Sequence, residues 1–97
     1  MLSIAEARKI GVVACIKEIG YDFCKKHADN ATSAYGEDNG IVNCFVGVNN
    51  YPARKIDLTK IEVLRLSDRK NDWKYYAQCL VRRETGEIII VDSRVPS

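Results

Sequence analysis

Residues 73–95, WKYYAQCLVRRETGEIIIVDSRV, decide the fold. Glu84-Thr85-Gly86 has the chemistry of a tight turn, with Gly86 free to take the positive φ that closes a three-residue hairpin. That turn predicts Arg83 opposite Glu87, a pair of opposite charges that favours one register. Counting back from it pairs Val81 with Ile89, Cys79 with Val91, Ala77 with Ser93 and Tyr75 with Val95 on one face. With Trp73 at its end, that face reads as core.

The opposite face pairs Arg82 with Ile88, Leu80 with Ile90, Gln78 with Asp92 and Tyr76 with Arg94. The run Ile88-Ile89-Ile90-Val91 places large apolar side chains on both faces. A meander with one solvated face alternates more cleanly than this. Something is therefore expected to cover Leu80, Ile88 and Ile90: a second copy of the chain, a loop of this one, or another protein.

The 97 residues suffice for one domain with a single core, residues 1–97 together. Apolar content of 46% and charged content of 29% are ordinary for a folded globular chain. The net charge of +2 is uneven, with five Lys/Arg against six Asp/Glu before residue 50 and ten against seven after it. That asymmetry is too small to imply nucleic acid. Cys15, Cys24, Cys44 and Cys79 show no C-x-x-C spacing and sit inside apolar patterns, as buried thiols of a reducing compartment do. No apolar run approaches the roughly 18 residues of a membrane span, so a cytoplasmic domain is expected.

Ser3 followed by Glu6 forms a capping box, and a helix is expected from about Ile4. Ile10, Val13 and Ala14, then Val12, Ile16, Ile19 and Phe23, form an apolar stripe wider than one sheet contact requires. Gly20 either kinks that helix or divides it into residues 4–19 and 21–28; one long helix is the expectation. Residues 29–40 are rich in turn formers and read as a loop. Residues 41–48 read as a strand with Val42, Cys44, Val46 and Val48 toward the core. Asn49-Asn50-Tyr51-Pro52 ends it. Residues 61–66 read as a third strand beside residues 73–78, with Glu62 on the core side and Ile61 and Val63 on the open side. The fold class is α+β, a long N-terminal helix packed on a four-stranded antiparallel meander.

Two groups of site residues emerge. The open face collects Ile61, Val63, Tyr76, Leu80, Arg82, Ile88, Ile90 and Arg94, a surface suited to a protein partner, with a homodimer the simplest case. Arg65, Lys74, Arg82 and Arg94 around Tyr76 also resemble a single-strand platform, but one aromatic among aliphatics is a poor base stacker, and nucleic acid is not expected. The second group, Glu62, Tyr75 and His27, outlines a pocket between helix and sheet in which a buried carboxylate could act as a base. Cys24 and His27 lie three apart on one helical turn; two ligands do not make a metal site, and His27 at a helix end is the plainer reading. No metal or cofactor motif occurs, and no catalytic residue is assigned.

The run Thr85-Gly86-Glu87-Ile88, ending in Val91-Asp92, resembles the last two strands of PepSY-type domains. Helix followed by meander is similar to the wider cystatin-like and NTF2-like folds. The resemblance implies a cystatin-like α+β domain and, from the NTF2-like side, a small-molecule or enzymatic pocket as the alternative to a binding module. The exported, duplicated character of PepSY-type domains and the cystatin Gln-Val-Val-Ala-Gly strand have no counterpart in this sequence.

Overall fold

A computed structural model describes residues 1–49 and 73–96. The first helix, α1 (Ile4–Ile19), starts where the capping box requires. The Glu6 N–H donates to Ser3 Oγ at 3.0 Å and the Ser3 N–H donates to Glu6 Oε1 at 3.2 Å. The Ser3 N–H bond to the carboxylate, helped by the Ser3 side chain, holds the Glu6 carboxyl below its usual range.

The helix is not continuous. Gly20 takes φ 124, closing α1 through its N–H to the Ile16 carbonyl, and a separate α2 (Tyr21–Lys26) follows. A left-handed φ is open to glycine alone without strain, so the division occurs where the sequence allows it. A 3₁₀ turn, Ala28–Asn30, then leads into the sheet.

The sheet holds β1 (Ala31–Asp38), β2 (Ile41–Val48), β3 (Tyr75–Arg82) and β4 (Ile88–Arg94), antiparallel and in chain order. With α1 packed across it, this is the expected helix on a four-stranded sheet. The strand roster differs. Residues 31–38 form a strand where a loop is expected, because Asn39 and Gly40, at φ 52 and 79, make a tight hairpin to β2. The strand expected at residues 61–66 lies outside the described residues. Both edges of β3 are occupied, by β2 on one side and β4 on the other.

The β3–β4 register also differs from the sequence reading. Arg82, not Arg83, sits against Glu87: its N–H donates to the Glu87 carbonyl at 2.9 Å and its Nε lies 3.4 Å from Glu87 Oε2. The loop is residues 83–86, with the Gly86 N–H on the Arg82 carbonyl and the Glu87 N–H on Thr85 Oγ1. Val81 thus meets Ile88, and Cys79 meets Ile90. A bulge between Gln78 and Cys79 then restores the expected pairs Gln78–Asp92, Ala77–Ser93 and Tyr76–Arg94.

The core lies between α1 and the near faces of β2 and β3. Ala7, Cys15 and Ile19 meet Val42, Cys44, Val46, Val48, Ala77, Cys79 and Val81, all buried. The approach is close because the helix presents small residues. A Cβ on Gly11 would overlap Cys44 Sγ and stand 3.0 Å from Val81. Arg83 pins the assembly at one end, exchanging backbone bonds with Leu2 and Gly40 and donating Nε to the Leu2 carbonyl at 2.9 Å.

Candidate functional site

The one-residue shift in the β3–β4 ladder decides where the apolar surface falls. Cross-strand partners share a face. Ile88, opposite Val81, and Ile90, opposite Cys79, therefore stand on the helix side of the sheet, and Ile89, opposite Leu80, on the far side. This corrects the open-face placement of Ile88 and Ile90. Three successive isoleucines are apolar in either register, so their pattern cannot fix it; the four-residue turn does.

The result is an apolar flank. Ile88, Ile89, Ile90 and Val91 are 38%, 41%, 38% and 47% exposed, with Val95 exposed beyond them. No strand among the described residues pairs with the far edge of β4. On the helix side, Ile88 borders a trough of about 440 Å³ whose other walls are Lys9, Ile10, Val13, Ala14 and Lys17 of α1. Val13 is 57% exposed, so the surface runs unbroken from the helix to the strand edge.

The far face of the sheet holds an aromatic cluster instead of an aliphatic patch. Phe45, Trp73 and Tyr76 are buried, with Phe45 and Tyr76 stacked at 5.9 Å. Trp73, expected on the core face, lies here because the chain bends at Lys74, whose N–H donates to Asn49 Oδ1 at 2.7 Å. Its ring lies over Gly47, where a Cβ would come within 2.5 Å of it. The Tyr76 hydroxyl bonds Asp92 at 3.2 Å and the Arg94 guanidinium stacks over the Tyr76 ring at 5.2 Å. Leu80 is half-buried and Arg82 exposed. Tyr76, the aromatic of the expected basic platform, is buried and stacked on Phe45, so its own face is not open to a base.

Ile61, Val63 and Glu62 lie outside the described residues. The other two pocket residues are brought near one another, but Phe23 stands between them, its ring 4.6 Å from His27 and 5.1 Å from Tyr75. His27 closes α2 through its N–H on the Phe23 carbonyl. A separate groove of about 370 Å³ opens on the β1 side, among Val12, Ile16, Cys24, Ala31, Ser33 and Val46.

The thiols are placed for packing. Cys15, Cys44 and Cys79 are fully buried and reduced, with Cys15 Sγ 3.6 Å from Cys79 Sγ and the Cys79 thiol donating to the Gly11 carbonyl at 3.3 Å. The hydrogen bond to Cys15 comes first in pushing Cys79 up to about 12, against an opposing bond to Cys44, with burial adding to it. The bond to Cys79, then burial, drives Cys44 higher still. Protonated thiols of this kind are poor nucleophiles. No cluster of three His, Cys, Asp or Glu residues among those described could hold a metal. Nor is any helix among them long and apolar enough to cross a membrane.

The flank residues that the sequence reading left out are Val13, Ile10 and Ala14. Their signal was present in an apolar stripe too wide for one sheet. Set against family models, curated proteins and solved structures, the chain matches none of them, and its likeness to PepSY-type and cystatin-like domains is neither strengthened nor weakened.

Proposed function

We propose that this chain is a non-catalytic protein-binding or assembly module, and that its contact surface is the apolar flank formed by β4 and the outer side of α1. The supporting observation is the run of four exposed apolar residues, Ile88 to Val91, on a strand with no partner along its far edge among the described residues. Natural edge strands are ordinarily blunted by charge, proline or cover, and four uninterrupted aliphatics are a surface that another chain would stabilise by covering. Self-association is the simplest form of this reading, and Leu80, Arg82 and Arg94 border the surface on the far side of the sheet.

The experiment is a light-scattering mass on the purified chain and on Ile90→Lys. The unsubstituted chain is expected above its 10.9 kDa monomer mass. The variant should return to monomer with an unchanged circular dichroism spectrum, since Ile90 is 38% exposed and outside the core. A chain that is monomeric at every concentration would overturn the proposal.

A further inference from the structure

The outer line of α1 carries Glu6, Ile10, Val13 and Lys17, spaced four, three and four residues apart. That is the spacing of a coiled-coil seam, in which a side chain from one helix enters a hole formed by residues i, i+3, i+4 and i+7 of another. The trough beside β4 is lined by such a set, Ile10, Val13, Ala14 and Lys17, with Ile88 and Lys9 completing its walls. Val13, 57% exposed, is a knob without a hole among the described residues, and the trough beside it offers one.

Charge selects the occupant. Glu6, in the first turn, and Lys17, in the last, bracket the apolar pair with opposite signs. Two copies of α1 laid antiparallel bring Ile10 against Val13 of the other copy and Glu6 against its Lys17, at both ends of the seam. Laid parallel, the same line sets Glu6 on Glu6 and Lys17 on Lys17. Exposed pairs add little energy, but they decide orientation.

We infer that the partner is a second copy of this chain, docked by antiparallel packing of α1 on α1 with each Val13 seated in the other's trough against Ile10, Ala14 and Ile88. This rests on the assembly reading above and specifies its geometry. The seam is isologous, as a twofold interface requires. It is also short, two turns of helix with one strand residue on each side, so the dimer dissociates on dilution.

The test is a pair of introduced thiols. In the antiparallel register an equimolar mixture of the single variants Ile10→Cys and Val13→Cys places each new cysteine beside the complementary one of a partner chain, with no second new thiol in its own helix to pair with. Mild oxidation should then give a covalent dimer, while a single Asp38→Cys variant, exposed on β1 at the opposite edge of the sheet, sets the collisional background. Of the four native thiols, Cys15, Cys44 and Cys79 are fully buried and Cys24, 8% exposed, lies in the groove on the β1 side, away from the seam. Lys17→Glu, which leaves only acidic groups at the seam ends, should weaken the dimer by about tenfold. An oligomer that Ile90→Lys disrupts but that gives no crosslink above background would overturn the antiparallel seam and leave the assembly reading standing. A monomer throughout would remove both.

Discussion

Gly11 and Gly40 hold their positions for opposite reasons, and substitution separates them. At Gly11 the constraint is space, since an added methyl runs into Cys44 and Val81 in the core. Gly11→Ala gains about 1 kcal/mol of helix propensity and loses roughly 1–3 to overpacking, so denaturant titration should show net destabilisation. Glu6 acts through charge. Its carboxyl is held low by the Ser3 backbone and side-chain bonds. A lowered carboxylate contributes its full stabilisation above the usual carboxylate range and loses it as pH falls through the lowered value. On acidification from about pH 5 to about pH 2, the chain should therefore lose more stability than Glu6→Gln, measured by thermal unfolding across that window.

At the scale of elements, a turn's local chemistry governs what sequence pattern leaves open. Gly40, at φ 79, has no atom within 4 Å of where a Cβ would stand, so Gly40→Ala tests conformation alone. It should cost about 1–2 kcal/mol in chemical denaturation, through the β1–β2 turn. The helix start at Ser3 and Glu6 and the inward set Val42, Cys44, Val46 and Val48 were legible because capping and alternation are local signals. The strand β1 was not. Its residues, ATSAYGED, lack an apolar alternation, and they become a strand through the ladder to β2 that the Asn39-Gly40 turn nucleates. Asn-Gly was the readable clue. The β3–β4 register escaped for another reason, since a run of isoleucines satisfies either face and the bulge at Gln78/Cys79 absorbs the difference. The division at Gly20 was one of two outcomes the sequence allowed, and the backbone took the left-handed φ that separates α1 from α2.

For the whole molecule, the three thiols sealed between helix and sheet report on cooperativity. Cys15, Cys44 and Cys79 come from α1, β2 and β3, and each is fully buried. Their labelling by a thiol reagent requires the layers to part, so under native conditions it should be governed by the free energy of global opening. Labelling far faster than that, at Cys79 in particular, would show that the helix lifts locally from the sheet. As for the candidate site, its strand half was visible in the isoleucine run, whereas its helix half required knowing which side of the sheet those isoleucines take.

The bonds between Arg83 and Leu2 join positions 81 residues apart. A ribosome releases α1 before β2 and β3, so α1 emerges long before the surface it packs on. Its apolar stripe must wait in the open until β3 has emerged, and closure of the core needs the whole span from Leu2 to Arg83.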